Sequence, residues 1–242
     1  MTDLAKRYER VIQTIAKTTS ALKHSADSTP LLAVSKTFDA SLVQALFHQG
    51  QRAFGENYVQ EALAKMAMLE HLRADPRPIE WHLIGPLQSN KTAIVAENFD
   101  WVQTIDRFKI AQRLNAQRPK HLPPLSVCIQ VNVDGGSTKS GIDCATSPQA
   151  VWDMARQIGG LERLHLRGLL AIPEPQVNAA KQQAVFAKVK AVFDFLNTKL
   201  DRAHQLDTLS MGMSADFEAA IAAGSTMVRI GSAIFGERSK QT

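Results

Sequence analysis

Lys36 follows directly on the run Leu31-Leu32-Ala33-Val34-Ser35. A lone amine carried to the mouth of a buried strand has its aliphatic stem walled by apolar neighbours, and partial burial lowers a lysine pKa from its free value of about 10.4. The neutral amine attacks carbonyls and forms imines. The same position also suits a solvated lysine that closes off a strand. A second chemistry is written near the other end of the chain, in Leu209-Ser210-Met211-Gly212-Met213-Ser214 and Arg229-Ile230-Gly231-Ser232. Both runs pass from apolar residues into glycine and serine, as a strand does when it enters an anion-binding turn. Gly231 allows close backbone approach, and the Ser214 and Ser232 hydroxyls add donors. Both serines also read as helix N-caps, a role that coexists with ligand binding.

Short apolar, β-branched runs alternate with helical patterns along the chain, the signature of repeated βα units. An N-terminal helix is expected over about residues 2–24, apolar at Leu4, Tyr8, Val11, Ile12 and Ile15. Strands are expected over 31–35, 52–55, 80–84, 101–104, 126–132, 165–171, 208–211 and 227–230. The helices between them fall at 40–49, 58–69, 90–97, 108–117, 148–158, 178–200 and 215–223, with a short last helix from Ser232. Eight strands, each followed by a helix, fit a closed parallel barrel better than an open sheet. Residues 1–242 are expected to form a single domain, because α/β barrels reach about 250 residues as one unit. Pro173-Glu174-Pro175 and Asp75-Pro76-Arg77-Pro78 read as a loop and a turn rather than as linkers.

In such a barrel the active site lies at the C-terminal ends of the strands. The residues there are polar: Lys36, Glu56, Asn57, Gly85, Gln88, Ser89, Asn90, Asn132, Met211 to Ser214, and Arg229 to Ser232. The loops after the seventh and eighth strands are the recurrent phosphate site of this architecture. An imine-forming lysine facing a phosphate cradle across one barrel mouth is the geometry that pyridoxal 5'-phosphate (PLP) requires.

The stretches AVSKTF, FGENYVQEA, WHLIGPLQSNK and LSMGMSADFEAAIAAGSTMVRIGSAIFG, with the N-terminal helix, resemble the pyridoxal phosphate homeostasis protein family. The likeness runs from about Tyr8 to Gly236. It implies a single (β/α)8 TIM barrel with an extra N-terminal helix, similar to the alanine racemase barrel domain and to PLP proteins of fold type III. It further implies that Lys36 holds PLP as a Schiff base and that Asn57 is a ring-side polar contact. Ser214, Gly231 and Ser232 would be the phosphate ligands, and Arg229 the partner of the pyridine nitrogen. His82, in WHLIG, alternates with inward residues of the third strand. It reads either as a neighbour of the ring or as a satisfied core histidine.

A guanidinium cannot take up a proton at ordinary pH, so an Arg229 partner leaves the pyridine nitrogen unprotonated and the ring a weaker electron sink. Racemases that resemble this barrel add a β-rich C-terminal domain carrying a second acid/base. The present sequence stops about six residues after its last short helix, and its tyrosines are Tyr8 and Tyr58. Two-base proton transfer therefore lacks its second base. The expected role is a non-catalytic carrier that holds PLP and supplies or buffers it for apo PLP enzymes through transient contacts, with no catalytic residues. A PLP-dependent amino-acid racemase or small lyase is the alternative, and a scaffold without ligand the third reading.

The charge of +5 comes from 28 basic and 23 acidic residues scattered along the chain, which gives no support to a nucleic-acid face. Cys128 and Cys144 lack metal-ligand or C-x-x-C spacing and read as a buried and a loop thiol, so no metal is expected. The loop Asp134 to Gly141 lacks the Gly-Lys pair of a P-loop, and Lys139 in it is a candidate secondary ligand contact. With no signal peptide and no apolar run of membrane-spanning length, the chain is expected to be cytoplasmic and monomeric, without a membrane partner.

Overall fold

The computed structural model describes residues 2–22, 29–135, 140–202 and 204–237. Lys139, Lys23, His24 and the last five residues lie outside these segments. Helix α1, Asp3–Ala21, starts at Thr2, whose hydroxyl accepts from the Ala5 N–H, and an acidic Asp3 sits in the positive first turn. Leu4, Val11 and Ile15 share its buried face, whereas Ile12 stands at the margin, 38% exposed.

Among the described residues nine strands follow, all pairing in parallel. They are β1 Leu31–Val34, β2 Ala53–Glu56, β3 Glu80–Leu83, β4 Trp101–Ile105, β5 Leu125–Asn132, β6 Ile142–Asp143, β7 Leu164–Ala171, β8 Thr208–Ser210 and β9 Val228–Ile230. The path runs β8-β7-β5-β4-β3-β2-β1-β9, with β6 an unanticipated two-residue addition beside β5. A bridge between Ser210 and Met227 joins the two ends of that path. The Met211 N–H donates to Met227 O at 3.1 Å and the Arg229 N–H to Gly212 O at 3.0 Å, which close the barrel. Strand β8 ends one residue short of the expected Met211, just before the turn at Gly212, where φ is +92°, and β9 begins one residue after the expected Met227, which forms only the isolated bridge to Ser210. A Cβ there would meet Ala220 Cβ at 2.5 Å, so the turn requires glycine.

Helices α2 Ala40–His48, α3 Val59–Met68, α4 Thr92–Asn98, α5 Phe108–Gln117, α6 Pro148–Gly159, α7 Ala179–Lys199, α8 Phe217–Ala222 and α9 Ser232–Phe235 alternate with the strands. Two short 3-10 turns are additions to the expected pattern: Glu70–Ala74 lies beyond the helix expected over 58–69, and Ser89–Lys91 overlaps the start of the one expected over 90–97. The apolar side chains of helices and strands merge into one cluster from Leu4 to Phe235. Inside the barrel, two smaller groups pack, Leu32 with Ile84 and Met227, and Trp101 with Cys128 and Leu170. Polar side chains fill the space between them.

Candidate functional site

The C-terminal ends of the strands bring all six sequence-derived candidates to one cavity. Lys36, Asn57, Ser214, Arg229, Gly231 and Ser232 line it together with Val34, Ile84, Ile172, Met213 and Ala215. Its volume is about 280 Å³, close to the lower end of small-molecule sites, which run roughly 300–1,000 Å³. A neighbouring space of about 290 Å³ shares Val34, Lys36, Gly231 and Ser232 and continues past Phe38 to Glu237.

Lys36 is half-buried, two residues beyond β1. The turn that presents it is unusual: Thr37 has φ +67° and is the sole non-glycine in that region among the described residues. A β-branched side chain there is strained, at a cost of order 1–3 kcal/mol. A buried ionic cluster holds the turn from beneath. Lys65, on α3, donates to Ser35 O at 2.7 Å, to Glu56 Oε1 at 2.8 Å and to Glu61 Oε1 at 2.6 Å. Ser35 Oγ donates to the same Glu56 oxygen at 2.6 Å, and the Thr37 N–H donates to Glu61. Burial raises the Glu56 pKa, while the Lys65 ammonium pulls it the other way.

The serine- and glycine-lined side of the cavity joins two loops. Ser214 Oγ accepts from the Ala233 N–H at 3.4 Å, tying the loop after β8 to the first turn of α9. A Cβ on Gly231 would lie 3.1 Å from Val34 O, so this approach of β9 to β1 favours glycine. Asn57 Oδ1 is buried without a hydrogen-bond partner. An unpaired buried amide oxygen costs free energy that a ligand donor recovers, and it belongs to a residue of the cavity wall. The donor set, the confined volume and this orphaned acceptor fit an anionic, ring-bearing ligand.

Arg229 is 3% exposed, and its guanidinium is fixed by donation to Ser210 Oγ and to Ala171 O, each at 2.9 Å. Burial lowers its pKa to about 10, so it stays charged at neutral pH. The contact with Ser210 opens a chain of hydrogen bonds down the barrel interior. Ser210 Oγ meets Gln103 Oε1 at 2.7 Å, Gln103 Nε2 meets His82 Nδ1 at 2.9 Å, and His82 Nε2 meets Glu80 Oε1 at 2.6 Å. Arginine only donates, so Ser210 must pass its one proton to Gln103 Oε1. The Gln103 amide then donates to Nδ1, and the His82 proton sits on Nε2, facing Glu80. His82 is thus a satisfied core histidine, stacked on Trp101 at 4.9 Å and connected to the cavity through Gln103 and Ser210.

Sequence reasoning did not find Gln103, Ser210 or Lys65. A lysine between Ala62 and Met66 on the buried face of α3 was the one available signal for the last of these. Cys128 is buried and its thiol pKa is pushed up by burial. Cys144 is also buried, its pKa pushed up to about 11 for the same cause. Both are poor nucleophiles. Tyr8 donates to Gln51 Oε1 at 3.3 Å, and Gln51 in turn donates to Leu31 O at the N-terminal end of β1. Its hydroxyl therefore lies at the end of the barrel opposite Lys36. Among the described residues no helix is long and apolar enough to cross a membrane.

Residues 12–239 match the family described as alanine racemase, N-terminal domain. The chain is 49% identical over 238 residues to the pyridoxal phosphate homeostasis protein of Pseudomonas aeruginosa, covering 98% of this chain and 97% of that one. It superposes with TM-score 0.75 and 35% identity on PipY of Synechococcus elongatus, solved with PLP bound, over 92% of this chain and 100% of the other. The likeness to alanine racemase of Corynebacterium glutamicum is one of fold: TM-score 0.60 and 18% identity over 96% of this chain and 62% of that one.

Proposed function

The chain belongs to the pyridoxal phosphate homeostasis protein family, within the alanine racemase N-terminal domain family, and from that membership we propose that it holds PLP and supplies or buffers it for apoenzymes. The observation that carries the reading is the convergence of Lys36, Asn57, Ser214, Arg229, Gly231 and Ser232 on one cavity. PLP supplies an aldehyde, which the Lys36 amine takes up as a Schiff base with loss of one water and returns by hydrolysis. Ser214, Gly231 and Ser232 would take the phosphate, and Asn57 would be a ring-side polar contact. Arg229 faces the pyridine nitrogen with donors only, so it orients the ring without protonating it.

The same arrangement favours holding over turnover. Neither tyrosine supplies a second base: Tyr8 is committed to Gln51 at the opposite end, and Tyr58 is 56% exposed and does not line the cavity. Residues 1–242 act as one cofactor-holding unit, working as a monomer in the cytoplasm and touching apoenzymes transiently. The test mixes the PLP-loaded protein with an apo PLP enzyme and follows the imine absorbance alongside acceptor activity. Loss of absorbance with matching gain of activity is expected. Retention of the cofactor with no activation, or racemised amino acid formed by the protein alone, contradicts the reading.

A further inference from the structure

The largest of the cavities described lies at the opposite, N-terminal end of the barrel, with a volume of about 480 Å³. Five arginines line it, Arg52, Arg73, Arg77, Arg118 and Arg167, against two carboxylates, Glu80 and Asp100. The carboxylates are already engaged. Asp100 takes Arg73 on both oxygens at 2.9 Å and the Trp81 N–H at 2.8 Å, while Glu80 accepts from His82. Arg167 is neutralised from outside the cavity by Asp207 at 2.7 Å.

Arg52, Arg77 and Arg118 are left without a carboxylate among the described residues. Arg118 is 5% exposed and donates only to carbonyls, from Nε to Pro123 O at 2.8 Å and from Nη1 to Ala96 O at 2.7 Å and Phe99 O at 2.8 Å. Its Nη2 has no protein partner among the described residues. Burial lowers its pKa; Asp100 opposes this, and the neighbouring Arg163 and Arg73 guanidinium groups add to the lowering. Arg52 donates from Nη1 to Phe47 O and Gln51 O, and its Nε is buried with no partner. Arg52 also lies over the Phe47 ring at 4.0 Å; a buried guanidinium with no carboxylate at ion-pair distance still gains from a counter-ion, and arginine's fork suits oxyanions with two or more oxygens. The adjoining space that shares Arg73 and Arg118 carries Glu70 and Glu97, which places the favourable side toward Arg52 and Arg77.

We propose that this arginine-lined cavity is a second binding site, for a small molecule carrying two or more phosphate or carboxylate groups, separate from the cofactor site. Its volume lies within the range of small-molecule sites, roughly 300–1,000 Å³, and is too large for a lone monovalent ion to fill. The cavity stands on its own residues and does not depend on what Lys36 holds.

The test titrates inorganic pyrophosphate into the full chain at low ionic strength by calorimetry, with and without PLP loaded, and maps slowed amide exchange. One saturable event is expected in both states, with protection over residues 76–80 and 118–124. Arg77→Gln, an exposed side chain whose loss leaves the fold intact, is expected to weaken it about ten-fold, whereas Ser214→Ala leaves it unchanged. No saturable binding, or binding that survives Arg77→Gln and is lost in Ser214→Ala or on loading PLP, overturns the proposal. Failure of PLP to load would instead count against the cofactor reading and leave the titration of the unloaded chain to decide this one.

Discussion

Gln103 donates to Nδ1 of His82 at 2.9 Å while accepting from Ser210 at 2.7 Å, so one amide fixes both the histidine tautomer and the support of Arg229. Every donor in that chain points away from the cavity, from the guanidinium toward the carboxylate of Glu80. Reversing any member leaves two donors or two acceptors face to face.

Replacing Gln103 by Leu strands the Ser210 hydroxyl proton and His82 Nδ1 in a fully buried setting. Each lost partner costs about 1–3 kcal/mol. The urea midpoint should fall, and cofactor should leave faster as Arg229 loosens, read as the decay of imine absorbance on dilution. A variant with unchanged midpoint and release rate would show that the chain supports nothing.

Lys65→Met leaves the Glu56 carboxyl, 0% exposed, without its cation. Removing one partner of a buried pair costs roughly 3–5 kcal/mol. Equilibrium denaturation should register that loss, and the double replacement Glu56→Gln with Lys65→Met should recover most of it. Since Lys65 also holds Ser35 O, the single variant is expected to bind cofactor more weakly as well.

Glu80 should leave a mark on acid stability. Burial would raise its pKa, but the hydrogen bonds from His82 and Trp101, with the charge of Arg167, outweigh this and lower it from 4.5. The unfolded chain therefore binds a proton there before the folded one does. The stability it contributes is present above the ordinary carboxylate value and is lost as pH falls through the depressed one. Glu80→Gln should flatten the stability–pH curve over that window; an unchanged slope would contradict the assignment.

Gly231→Ala introduces a Cβ at 3.1 Å from Val34 O, so β9 must shift by a few tenths of an ångström. Cofactor affinity is expected to drop about ten-fold, or ~1.4 kcal/mol, with little change in the denaturation midpoint. Equal affinity in a direct titration would remove Gly231 from the phosphate side.

The eight barrel strands were legible because buried parallel strands read as short continuous apolar runs, and Leu125–Asn132 and Leu164–Ala171 did so within a residue. Strand β6 was not, since two residues held beside β5 carry no pattern of their own. The rim positions of Lys36, Asn57, Ser214 and Arg229 were legible because strand ends mark the mouth in this architecture, whereas singling them out from the other polar rim residues rested on the family resemblance. The interior chain was not: Gln103 and Ser210 are 107 positions apart, and only barrel closure makes them neighbours. Likewise the arginines of the N-terminal cavity come from a 3-10 turn, from β7 and from segments beside β2, β3 and α5, whose convergence no local pattern announces.

The central claim is that the amine of Lys36 takes up the cofactor's aldehyde. Borohydride reduction of the PLP-loaded protein, followed by peptide mass mapping, tests it most directly. The pyridoxyl mass is expected on the peptide containing Lys36, and Lys36→Ala should abolish both that label and the visible absorbance. A label carried by another lysine, or full absorbance in Lys36→Ala, would contradict the account.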